Sequence, residues 1–71
     1  MVEIIATYSY AEMDVEVSRE VHDNGMTEWI FEKVGNNYEK KLLDRYEALA
    51  SVGTPTYEEV YDLIVLENLG E

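Results

Sequence analysis

The stretch Met13-Asp14-Val15-Glu16-Val17-Ser18-Arg19-Glu20-Val21 alternates apolar and polar side chains almost without a break, and its reading decides the fold. A period of two residues marks a strand with one buried and one wet face. Met13, Val15, Val17 and Val21 take one side; Asp14, Glu16, Ser18 and Glu20 take the other. Beyond Asp23-Asn24-Gly25, a second β-prone run extends from Thr27 to Val34 with Trp29 and Phe31 on one parity.

The turn fixes how these runs pair. A two-residue Asn24-Gly25 turn sets Trp29 opposite Glu20 and mixes apolar and acidic groups on both faces. A three-residue Asp23-Asn24-Gly25 loop with Gly25 left-handed instead pairs Val21 with Thr27, Arg19 with Trp29 and Val17 with Phe31. Only the second register gives one apolar face. Because a slip of one residue exchanges the faces, burial selects it.

Upstream, Val2 to Tyr10 is also β-prone, with Val2, Ile4, Ala6, Tyr8 and Tyr10 on one parity. The corner Tyr10-Ala11-Glu12 has no turn-forming residue, which leaves open a separate strand or one long bent strand; a three-stranded meander is the expectation. From Tyr38 the period becomes helical. Tyr38, Leu42, Leu43, Tyr46, Leu49 and Ala50 share a face, Asn37 fits an N-cap, and Gly53 lies past the end. Thr56-Tyr57-Glu58-Glu59 after Pro55 has the form of a capping box and opens a second helix. Its buried side is expected from Val60, Tyr61, Ile64 and Leu66 or Leu69, and Gly70 ends it. The expected fold is α+β, one domain over residues 1–71, with a small antiparallel meander sheet packed by two helices in the order βββαα.

The chain has 71 residues, 16 acidic against 5 basic side chains, no cysteine and a formal net charge of −11. Neither disulfides nor a cysteine zinc site can staple so small a fold, so packing, alone or with homodimerisation, must hold it. The longest apolar run, Leu63-Ile64-Val65-Leu66, is too short to span a bilayer, and Met1-Val2-Glu3 lacks a basic leader. A cytoplasmic protein is expected. The negative charge opposes direct binding to nucleic acid or an anionic membrane and favours basic partners.

Enzymatic chemistry has little support. The single histidine, His22, flanks a hairpin turn, where it reads as a surface residue and not as a base in an enclosed site. Asp23-Asn24-Gly25 lacks the spacing of a calcium loop, and glycines 25, 35, 53 and 70 stand singly, so there is no phosphate loop. No catalytic residue, cofactor or metal is expected. Trp29, Phe31, Tyr46 and Tyr61 read as core; Arg19 is expected over the Trp29 ring or at the sheet edge. Lys40, Lys41 and Arg45 read as outer helix residues pairing locally with Asp44 and Glu47.

The acidic groups are segregated. Residues 1–32 carry eight acids and one base, residues 33–53 three acids and four bases, and residues 54–71 five acids and no base. In the chosen register Glu20 faces Glu28 and Glu16 faces Glu32, with Asp14 extending the row. Directly opposed like charges destabilise a sheet by up to about 1 kcal/mol per pair. Alternate strand residues lie ~6.6 Å apart at ~3.3 Å per residue, a spacing comparable to that of phosphates along a nucleic-acid strand. With Asp23 at the turn and Glu58, Glu59, Asp62 and Glu67 on the last helix, these carboxylates can present a phosphate-like array.

In size, charge, lack of cysteine and β-then-α layout, the whole chain resembles the small acidic DNA-mimic proteins of phages. It is most similar to the host-takeover inhibitors of the nucleoid-associated protein HU known from Bacillus phage. The likeness is one of charge geometry and not of motif. It implies a non-enzymatic inhibitor, acting in the host bacterial cytoplasm, whose Asp14, Glu16, Glu20, Asp23, Glu28, Glu32, Glu58, Glu59 and Asp62 occupy the basic DNA-binding surface of an HU-like protein and exclude DNA. The alternative is an acidic adaptor that binds a non-nucleic-acid partner through a sheet edge or an apolar patch involving Ile30, Tyr8 and Tyr10.

Overall fold

A computed structural model describes residues 1–69. Four strands, β1 (Val2–Ser9), β2 (Asp14–Val21), β3 (Met26–Val34) and β4 (Lys40–Leu49), form one antiparallel sheet in the order β1-β2-β3-β4. A single helix, α1, spans residues 57–68 as a turn of α-helix (Tyr57–Val60), a π-helical stretch (Tyr61–Val65) and a last turn (Leu66–Asn68). The fold is α+β, a four-stranded meander followed by one helix.

The central hairpin has the expected register, with Val21 opposite Thr27, Arg19 opposite Trp29 and Val17 opposite Phe31. Its loop closes through His22 N–H to the Met26 carbonyl at 2.9 Å, and Gly25 takes φ 84°, which only glycine adopts without strain. β1 is a separate strand, turned by the Tyr10 N–H bonding the Met13 carbonyl at 2.9 Å. A bulge between Ile4 and Ala6 splits its expected parity: Val2 and Ile4 lie on the outer face with Ser18 and Glu20, while Ala6 and Tyr8 join the inner face opposite Val17 and Val15.

The expected helix from Tyr38 is instead strand β4, which corrects the order to ββββα. The reason is a second bulge. Pairing slips between Phe31–Asp44 and Glu32–Leu42, so Leu43, Tyr46 and Ala48 all turn toward the core at spacings of three and then two residues. That spacing imitates a helical stripe. The segment's leucines, lysines and alanines favour helix weakly, and the unpaired edge of β3 outweighs them. Asn37, expected as an N-cap, has φ 62° beside Tyr38 at φ 61°, so left-handed backbone within the short segment Asn36–Tyr38 reverses the chain. Asparagine tolerates that conformation; a bulky tyrosine is strained there.

Val15, Val17, Trp29 and Phe31 from the sheet and Val60, Ile64 and Val65 from α1 form the buried core, with Tyr10 at one end. Tyr46 and Tyr61 are half-buried against it. The capping box forms as expected, with Thr56 Oγ1 accepting from Glu59 N–H at 3.2 Å and Glu59 Oε1 from Thr56 N–H at 3.0 Å. The π-stretch widens the helix, with Leu66 N–H reaching the Tyr61 carbonyl, and puts Val60 and Val65 on the same buried side. Leu66 and Leu69, expected alternatives for burial, are exposed for that reason. The expected stop at Gly70 lies outside the described residues.

Candidate functional site

Two acidic surfaces emerge, one on each layer. On the outer face of the sheet, Glu20, Glu28 and Glu47 stand in one row across β2, β3 and β4, and Glu16 faces Glu32 in a second row. Asp14, at the start of β2, is exposed and extends this face; Asp23 is exposed at the hairpin tip. The opposed glutamates are therefore where sequence reasoning set them.

β4 changes their electrostatics. As a strand it carries Arg45 and Lys40 onto the same face, so these cations do not pair with Asp44 and Glu47 along a helix. Arg45 Nε and Nη2 each lie 2.6 Å from Glu28 Oε2. Lys40 Nζ reaches over β3 to Glu16 Oε2 at 2.7 Å, and Glu16 is only 8% exposed. The bond from Arg45 holds the Glu28 carboxyl below its usual range, and the bond to Glu16 raises the Lys40 ammonium. Much of the repulsion expected between opposed glutamates is thus relieved inside the sheet.

At the hairpin end, His22 Nε2 lies 3.5 Å from Glu28 Oε1 and 3.9 Å from Glu20 Oε1, and the Met1 amine lies 3.7 Å from Glu20. Glu20, His22 and Glu28 each bring a donor atom within 4.8 Å of the others, a grouping not foreseen from sequence. Arg45 already holds one oxygen of Glu28. When charged, His22 joins the opposed glutamates.

Arg19 reaches the sheet edge, its Nη2 2.9 Å and Nε 3.0 Å from Glu3 Oε1. Three of the five basic residues are thus tied to the protein's own carboxylates. Lys33 and Lys41 face each other in the β3–β4 register, which confines the remaining positive charge to one corner.

On α1, Glu58, Glu59, Asp62 and Glu67 are exposed, and among the described residues none forms an ion pair. The start of this helix is fastened by tyrosines. Tyr8 Oη donates to the Pro55 carbonyl at 2.8 Å, Tyr10 Oη to the Tyr57 carbonyl at 2.7 Å, and Tyr57 Oη to the Ser9 carbonyl at 2.9 Å. Burial, then the neighbouring Tyr57 and Tyr8, push the Tyr10 hydroxyl up to about 12. Tyr61 Oη donates to Glu12 Oε2 at 3.0 Å, which raises its pKa as well. Tyr8 and Tyr10 are therefore engaged within the fold and do not form a free apolar patch; Ile30 is half-buried between Ser18 of β2 and Arg45 of β4.

The expected binding residues belong to two acidic sets, one on the sheet and one on the helix, as their segregation along the sequence implies. Asp14, Glu16, Glu20, Asp23, Glu28 and Glu32 belong to the sheet and its hairpin tip, and Glu58, Glu59 and Asp62 to the helix. Glu47 was missed because it was assigned to a helix. No protein-family model, curated protein or solved structure matches the chain. No helix among the described residues is long and apolar enough to cross a membrane.

Proposed function

We propose that this protein is a DNA-mimic inhibitor that covers the basic DNA-binding surface of a host nucleic-acid-binding protein, HU-like by resemblance, and excludes DNA. The observation that carries the proposal is the segregation of charge. Carboxylates are exposed on both layers, while three of the five cations are consumed in internal ion pairs. A basic partner meets negative potential from either side. Carboxylates replace phosphates, and association is fast and salt-sensitive. The host bacterial cytoplasm is the setting this implies.

Glu16 and Glu28 serve the sheet through Lys40 and Arg45, so the exposed acids Asp14, Asp23, Glu58, Glu59 and Asp62, with half-buried Glu20 and Glu32, are assigned the larger share of contact. A gel-shift competition tests the proposal. Excess protein is expected to release DNA from an HU dimer at low salt, and the effect is expected to fade as salt rises. An HU–DNA complex left intact at low salt overturns the HU assignment. If changing Asp14, Glu20 and Glu32, or Glu58, Glu59 and Asp62, to their amides leaves competition unchanged in both sets, mimicry itself fails.

A second reading is favoured by the β1 edge, where Val2 and Ile4 are 54% and 58% exposed. A partner strand added there would bind without salt sensitivity.

A further inference from the structure

A cleft of about 520 Å³ opens between the β1–β2 corner and the first turns of α1. Its walls combine two chemistries. Tyr57 and Tyr61 stand one helical turn apart, as do Glu58 and Asp62, so the helix presents a column of rings beside a column of carboxylates. Tyr10 lies between helix and sheet, stacked on Tyr57 with centroids 4.3 Å apart and tilted toward Tyr61 at 5.6 Å. Glu12 faces them from the corner, tethered to the Tyr61 hydroxyl at 3.0 Å. Among the described residues, no basic side chain lines the cleft.

Aromatic walls are not needed to imitate phosphate, and they offer nothing to a hard metal ion, which wants converging oxygens. They suit a guanidinium, which is planar, weakly hydrated and able to stack on rings while its N–H groups meet carboxylates. We propose that the cleft receives an arginine side chain of a basic protein partner, stacked on the tyrosine rings, with its charge met by Glu12, Glu58 and Asp62. The proposal deepens the reading of the protein as a ligand for a basic surface, and it rests on that reading for the source of the arginine.

The test titrates the isotopically labelled chain with the capped peptide Ac-Arg-Gly-Arg-NH₂ at about 150 mM salt, where loose surface attraction is screened. Amide shifts are expected to concentrate at Glu12 and residues 57–62, and the exposed pair Glu58→Gln and Asp62→Asn is expected to weaken binding about tenfold. The citrulline peptide, of the same shape without charge, is expected not to bind. Shifts spread evenly over sheet and helix overturn the proposal, as does a lysine peptide that binds as tightly or a double variant that binds like the wild type. The DNA competition is read separately. A chain that displaces DNA while the peptide misses the cleft keeps mimicry and loses this site; a chain that binds the peptide here but displaces no DNA does the reverse.

Discussion

The acids of the sheet and the acids of the helix look alike in sequence and behave differently in the fold. On the sheet, Glu28 and Glu16 hold Arg45 and Lys40 at 2.6 and 2.7 Å, and Glu3 holds Arg19 at 2.9 Å. On the helix, Glu58, Asp62 and Glu67 have no cationic partner among the described residues. Opposed carboxylates are therefore weaker grounds for an external partner than they look in isolation, because a neighbouring strand can supply the countercharge. Carboxylates with no countercharge inside the protein are the stronger grounds.

The largest expected effect removes what both surfaces share. Ile64→Ala empties a fully buried position between helix and sheet and is expected to cost about 2–5 kcal/mol, enough to unfold much of a small domain. Thermal melting by circular dichroism reads it; a change within about 0.5 kcal/mol would mean that the layers are not held by this contact.

Tyr10→Phe comes next, expected to cost about 1 kcal/mol by removing the hydroxyl bound to the Tyr57 carbonyl. The same group makes stability depend on alkali. Its folded pKa, about 12, lies above the ordinary 10.0, so its contribution is complete below pH 10 and is lost as pH rises from there through about 12. Ultraviolet titration of tyrosinate is expected to lose one late-ionising ring in the variant, while Tyr46 and Tyr61, which are also raised, remain.

Arg45→Gln separates the two surfaces most directly. It frees Glu28 beside Glu20 and Glu47, so the melting temperature should drop by a few degrees while salt-sensitive binding to a basic partner strengthens. On the helix, Glu58→Gln is expected to leave melting nearly unchanged and weaken binding. The opposite pattern would reverse the assignment of the two surfaces. Acid sharpens the contrast: the Glu28 carboxyl is held below its usual range, so its contribution is present above that range and is lost as pH falls through the lowered value. The smallest effect is that of added salt, which should raise the melting temperature slightly by screening self-repulsion in a chain of net charge −11.

How much could be read in advance follows the same division between regular and irregular backbone. The β2–β3 hairpin is unbroken, so parity alone yielded its register, its Gly25 loop and the Glu20–Glu28 and Glu16–Glu32 oppositions. Both edge strands are bulged, and each bulge deceived the periodicity. At Ile5 it turned one expected face into two; at Leu43-Asp44 it gave a strand the spacing of a helix and hid the destination of Arg45 and Lys40. The Gly35-Asn36-Asn37 turn was the signal available to find β4. The capping box was legible because it is local, whereas the π-stretch that buries Val65 in place of Leu66 has no local signature.

The tyrosine bonds at Pro55, Tyr57 and Ser9 all lie at one end of α1. The far end, from Leu66 to Leu69, has no such bond to the sheet among the described residues and exposes its leucines. The helix is therefore hung like a door, and thermal opening must swing about its N-terminal post. Amide hydrogens near Asn68 will exchange first and those near Val60 last, and a protease will find its earliest cut site at the free edge of that door.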